Sequence, residues 1–222
     1  ISYSELKTWA ECSWRHKLEY LEKLKMFKGN EYTSFGKALH SVGEKFVFEN
    51  TDNESPEDYF ELQFLNELRE LKFKDKELSL NQNLIFDMRK QGTSLSTKIV
   101  PALEDYFDTY EIFSVEEKLY EDIDNSDLKF KGFIDLVVKK NNTYYIIDWK
   151  TCSWGWGADK KKDRLLNYQL VLYKHYFAKK HNIDSKNIKT CFGLLKRTAK
   201  KNQVEIFEIT SGPKKTENAL NL

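Results

Sequence analysis

The chain has few of the residues that cross-link or break a backbone. Its 222 residues include three cysteines, three prolines, nine glycines and two methionines. The cysteines, at 12, 152 and 191, are an odd count with no close pair. That excludes a disulfide framework and leads to the expectation of a reduced, cytoplasmic protein. No apolar run approaches the roughly 18 residues of a membrane span. The first 17 residues are polar-periodic rather than basic and then apolar, so no secretory signal is expected. Charge of one sign is also lacking: 36 Lys and Arg against 35 Asp and Glu leave a net +1, which excludes a uniformly basic nucleic-acid glove. The one Gly-Lys pair, Gly36-Lys37, has neither the following Ser or Thr nor the earlier glycine of a phosphate loop, so no bound nucleotide is expected.

Apolar residues are plentiful by comparison. Hydrophobics make up 40% and aromatics 14%, which is enough for a core despite a 32% charged content. The length suits one domain over residues 1–222, with a mainly helical part at 1–110 and a sheet core at 111–210. In the first part Leu6, Trp9, Ala10, Trp14 and Leu18 recur at helical spacing behind Ser4 as N-cap. Phe35, Ala38, Leu39, Val42 and Phe46 form a second helical stripe. A polar loop at 50–55 precedes a third helix starting at Pro56, and a fourth spans about 94–110. The period then changes. Residues 112–123, 128–139 and 143–150 read as three strands joined by Asn125-Ser126-Asp127 and Lys140-Asn141-Asn142 turns. A helix over 161–181 and strands at 188–195 and 204–209 follow, with a frayed tail after Gly212-Pro213. A strand–helix–strand unit after a meander implies an α/β fold with a mixed central sheet flanked by helices.

Charge is unevenly placed. Six acids and no base lie in 49–61, whereas Lys189, Lys196, Arg197, Lys200 and Lys201 stand without an acid in 188–203. Lys160, Lys161, Lys162 and Arg164 form another cluster. These bases make either a local nucleic-acid surface or an ordinary solvated one.

The third strand ends in Tyr144-Tyr145-Ile146-Ile147-Asp148-Trp149-Lys150-Thr151. Alternation puts Asp148 and Lys150 on one face, with Ile147 and Trp149 on the other. On the strand before it Asp135 is embedded in Ile134-Asp135-Leu136-Val137-Val138. A carboxylate there is costly unless it is paired or holds a cation. The hairpin is short enough to bring Asp135 and Asp148 together. Singly, each acid is explained by an ion pair or a turn hydrogen bond; jointly, with Lys150 beside them, they favour an oxygen-ligand site for Mg2+ or Mn2+. Glu117 shares parity with Val115 and Leu119 and is read as the inward acid of the strand before. His40 lies beside the second helical stripe. Gln169 and Tyr173 are four apart on the helix after Lys150 and share a face. Trp154 and Trp156, among glycines in Cys152-Ser153-Trp154-Gly155-Trp156-Gly157, either stack unpaired bases or pack as a loop over the sheet edge.

In chain order, His40, Glu117, Gly132-Phe133-Ile134-Asp135, Asp148-Trp149-Lys150-Thr151 and Gln169-Leu170-Val171-Leu172-Tyr173 resemble the RecB-like branch of the PD-(D/E)XK nuclease superfamily. The opening Ser2-Tyr3-Ser4 and Cys12-Ser13-Trp14-Arg15-His16-Lys17-Leu18 are similar to it too. The resemblance covers about residues 2–197. It implies a restriction-endonuclease-like fold and a metal-dependent DNA nuclease with a role in DNA repair or recombination, in a bacterial or virus-infected cell. Asp135 and Asp148 would hold Mg2+ or Mn2+, with His40 and the Trp149 carbonyl completing the shell. Lys150 would activate the attacking water and steady developing charge. Gln169 and Tyr173 would position DNA. The loop and the basic clusters read above add Trp154, Trp156, Lys160, Lys161 and Arg197 as candidate DNA contacts. Some relatives hold an iron–sulfur cluster on four cysteines; three cysteines predict none here. Any helicase or recombination partner would be a separate chain, and no membrane partner is expected.

The near-neutral charge favours an exonuclease on DNA with a free end or single-stranded portion. A flap or branch endonuclease, a non-cleaving DNA-binding module of the same fold, and an enzyme on another phosphoester are the alternatives.

Overall fold

A computed structural model describes residues 1–24, 27–48 and 54–222. Residues 50–53 of the expected polar loop, and Glu49 and Asp52 of the acidic run, lie outside them.

Helices come first. α1 (Tyr3–Glu11) is capped by Ser2, whose hydroxyl accepts from Glu5 N, rather than by Ser4. It stops at Cys12, after which α2 (Ser13–His16) runs into a π-helical turn, Lys17–Leu21. α3 (Glu31–Phe48) carries the expected stripe, buried at Phe35, Ala38, Leu39 and Val42. α4 (Pro56–Lys74) begins with Pro56 in its first turn behind a Ser55 cap, where a missing N–H costs nothing.

The single helix expected at 94–110 is in fact the end of one helix and all of another. α5 (Gln82–Ser96) and α6 (Ile99–Phe107) meet at Thr97-Lys98. Gly92 conceals α5 in the sequence because glycine reads as a breaker. Here a Cβ at Gly92 would fall 1.9 Å from the Phe60 ring, so only glycine lets α4 and α5 pack this closely.

The sheet has strand order β1-β2-β3-β4-β5: β1 (Glu111–Asp122), β2 (Lys129–Lys140), β3 (Thr143–Cys152), β4 (Ile188–Lys196) and β5 (Val204–Ile209). Only β3 and β4 pair in parallel, and the crossover between them is α7 (Ala158–Lys161) and α8 (Arg164–His181). The helix expected from 161 therefore starts at Arg164, because Asp163 caps it by accepting from Leu166 N at 2.8 Å. The C-terminal segment is not frayed: α9 (Pro213–Leu220) buries Ala219 against the core.

Two apolar layers sandwich the sheet. One packs α3 to α6 on Leu136, Val138, Ile147 and Trp149. The other packs α1, α8 and α9 on Leu119, Ile134, Val137, Ile146 and Phe192. β3, buried on both faces, reads as an apolar run for that reason. Among the described residues no helix is long and apolar enough to cross a membrane.

Candidate active site

The site forms where two paired strands part. The β2–β3 ladder runs from Lys140 and Thr143 down to Leu136 and Ile147 and ends there. The next residue on each strand is an aspartate, Asp135 and Asp148. The Trp149 backbone N–H donates to Asp135 Oδ2 at 2.7 Å, spanning the gap. Trp149 is fixed from the other side, since its indole lies on Gly193 of β4, where a Cβ would come within 2.2 Å of the ring.

Asp148 is only 2% exposed. Lys150 Nζ forms an ion pair with its Oδ2 at 2.6 Å. Burial pushes the Asp148 carboxyl up to about 6, and the charge of Asp135 adds to this while Lys150 opposes it. His40, on α3, places Nδ1 3.5 Å from Asp135 Oδ1. Burial pulls the imidazole down, but the hydrogen bond and charge of Asp135, with the charge of Asp148, leave it raised.

Two adjacent carboxyls, one of them buried, share a single lysine; keeping both charged is costly, and a hard cation would offset that cost. Two carboxylates and an imidazole suit Mg2+ or Mn2+. Among the described residues no three His, Cys, Asp or Glu side chains are gathered closely enough to hold a metal ion by themselves.

Glu117 is not part of this group, contrary to the parity reading. Its carboxylate accepts from Lys180 Nζ at 2.5 Å and meets His181 Nε2 at 2.9 Å, both at the end of α8. The cause is local backbone geometry. Glu116 has φ +49°, and the β1–β2 pairing skips from Val115–Leu136 to Glu117–Ile134. Val115 then faces the α3 side while Leu119 faces the α8 side, so alternation does not carry across residue 116. Glu116, together with Glu44 of α3, lines the cavity that also holds His40 and Thr151. Burial, then the charge and hydrogen bond of Glu116, push Glu44 up to about 7. Neither was anticipated; Glu44, one helical turn after His40, was findable by i, i+4 spacing.

Gln169 and Tyr173 do share a face, with Gln169 Nε2 donating to the Tyr173 hydroxyl at 3.1 Å. Tyr173 lies against Gly132, where a Cβ would stand 2.7 Å from its ring. Burial, reinforced by the charge of Asp148, raises its hydroxyl well above the ordinary range. Gln169 and Lys150 line a groove with Tyr3, Lys7, Arg15 and Tyr20 on the α8 side.

The two loop tryptophans divide. Trp154 is 75% exposed. Trp156 is packed 5.0 Å from Phe192 and 6.2 Å from Phe207, so its ring belongs to the sheet edge and is not free to stack bases. Lys160 is exposed and lies 5.0 Å over the Trp156 ring. Lys161 pairs with Glu205, as does Lys196 at 3.1 Å, and Lys189 pairs with Glu208 at 3.0 Å. Acids of β5 thus neutralise much of the basic surface expected around 188–203. Arg197 is tied to Gln91 and Ser153.

A family model described as the PD-(D/E)XK nuclease superfamily matches residues 1–220. A solved structure described as "Crystal structure of SSO0001" is 14% identical, covering 88% of this chain and 84% of that chain, with a TM-score of 0.36, a likeness too distant to bear on the site. No curated protein matches the chain.

Proposed function

Because the chain belongs to the PD-(D/E)XK nuclease superfamily, whose members generally use divalent ions such as Mg2+, we propose that it is a RecB-like exonuclease that hydrolyses DNA phosphodiesters at Asp135, Asp148 and Lys150. The observation that carries this reading is the buried Asp148 carboxyl, which stays raised beside Asp135 although Lys150 Nζ lies 2.6 Å from its Oδ2. A plain scaffold ion pair lowers its acid, as Lys180 lowers Glu117.

A bound Mg2+ or Mn2+ would supply Lewis-acid polarisation of a phosphoryl oxygen and make a bound water more acidic than bulk water. Asp135, Asp148, His40 and the Trp149 carbonyl would hold it. Asp135 is oriented by the Trp149 N–H on Oδ2, while its Oδ1 faces His40. Lys150 is a compact cation at the reaction centre: it holds the attacking water and meets charge developing on phosphate. Gln169 steadies Tyr173, and the two present polar atoms to the DNA strand. Glu116 replaces Glu117 as the acid of β1 nearest the site. Three cysteines leave an iron–sulfur cluster one ligand short, so none is included. A helicase or recombination partner, if used, is a separate chain.

The test is a time course on end-labelled single strands, linear duplex and closed circles with Mg2+, Mn2+ or EDTA. Metal-dependent loss of linear DNA, at least about 10²-fold slower in Lys150→Ala and Asp148→Asn, is the expected result. Cut circles would make the enzyme an endonuclease. DNA binding without cleavage under any metal would make it a binding module.

A further inference from the structure

The cavity beside His40 is larger than an ion needs. It has a volume of about 650 Å3, within the ~300–1,000 Å3 of small-ligand pockets. One wall is Tyr32, the second residue of α3, 48% exposed. The guanidinium of Arg197 lies 5.2 Å from the centre of its ring.

Arg197 is held in place from three directions. Nη1 donates to Gln91 Oε1 at 2.9 Å, Nη2 donates to Ser153 Oγ at 3.2 Å, and its backbone N–H donates to Cys152 O at 2.9 Å. Among the described residues no carboxylate pairs with it, unlike Lys161, Lys189 and Lys196 nearby. Trp154, largely exposed, follows Ser153 directly. An exposed ring held against a fixed, unneutralised guanidinium has the two features that a nucleotide recognises, a flat surface for the base and a positive charge for its phosphate. Tyr32 and His40 are eight residues apart on α3, about 12 Å along the axis, so a base placed on Tyr32 belongs to a nucleotide close to the phosphate under attack.

We propose that Tyr32, backed by Arg197, stacks an unpaired nucleobase flanking the scissile phosphate, which makes single-stranded DNA or a single-stranded end the substrate class. This rests on the nuclease reading above and adds a specificity residue to it. The base must be unpaired because both faces of a base inside a duplex are covered by its neighbours.

Binding is measured apart from cleavage, by fluorescence anisotropy of labelled single-stranded and blunt duplex oligonucleotides in EDTA, with wild type, Tyr32→Phe and Tyr32→Ala. Tyr32→Ala should weaken single-strand binding roughly ten-fold, Tyr32→Phe should stay near wild type, and duplex binding should not change. Abasic sites are then walked along the single strand. At the stacked position the abasic penalty seen with wild type should vanish in Tyr32→Ala. Equal loss on single strand and duplex, no loss at all, or an abasic penalty undiminished in Tyr32→Ala at every position would overturn the inference. A parallel cleavage assay in Mg2+ separates the two readings. Tyr32-dependent binding without cleavage sinks the nuclease reading, and with it the scissile phosphate, while keeping Tyr32 as the base-stacking residue; cleavage with Tyr32-independent binding sinks this inference alone, and neither binding nor cleavage sinks both.

Discussion

Acids of the scaffold and acids around the strand gap are treated in opposite ways. On the α8 side Glu117 is held by Lys180 and His181, and at the far edge Glu205 is held by Lys161 and Lys196. In each, burial alone would raise the carboxyl, but the bonded cations leave it below its usual range. Around the strand gap, Asp148 has Lys150 and a second acid, Asp135, beside it, and Glu44 faces Glu116; both carboxyls are raised. The scaffold acids are each held by two cations, whereas these are crowded by other acids, the arrangement expected of a functional site.

The largest test of that contrast is the stabilisation given by an added ion. Mg2+ at about one hundred times its Kd should add about 2.7 kcal/mol. That is roughly 5–10 °C in Tm for a chain of this size, and it should disappear in Asp148→Asn. An equal shift in the variant, read by differential scanning fluorimetry, would mean that the ion binds elsewhere and would end the contrast.

A smaller effect is expected of Glu117→Gln, which breaks a satisfied cluster. It should cost about 1–3 kcal/mol in urea unfolding and leave cleavage unchanged. The sign with pH follows from the lowered carboxyl: its stabilisation is present above the ordinary glutamate value of about 4.3 and is lost as pH falls through the lowered folded value. Wild type and variant should therefore converge below about pH 4. Cleavage lost at unchanged stability would return Glu117 to the site.

Smallest in stability is Glu116→Gln. Exposed and facing Glu44, Glu116 should cost no more than about 0.5 kcal/mol on substitution, while the Mg2+ concentration needed for half-maximal cleavage rises. A large loss of Tm would place Glu116 among the scaffold acids.

Much of this was legible in the sequence. The five strands fall within one or two residues of their expected positions because alternation, apolar runs and Asn-rich turns are local signals. Asp135, Asp148 and Lys150 were legible because polar residues inside an apolar strand contradict their surroundings. Glu116 was not, because a single left-handed residue reverses which side of the strand faces which layer, and parity counting assumes that no such residue exists. α5 was hidden by Gly92, whose reason is the Phe60 ring on another helix. Trp156 could not be decided between stacking and packing because its partners, Phe192 and Phe207, arrive from strands later in the chain. These misses are all cases where a distant contact overrode a local pattern.

The perch of Trp149 on Gly193 has a consequence for the order in which the protein can become active. The groups assigned to chemistry, from His40 to Tyr173, all leave the ribosome before β4 does. Until β4 docks, β3 has a bare flank, the indole has no floor, and the N–H that orients Asp135 has nothing to hold it in place. A chain truncated ahead of residue 188 would thus keep the side chains proposed for chemistry but lose the strand that holds Trp149, and with it the N–H that orients Asp135.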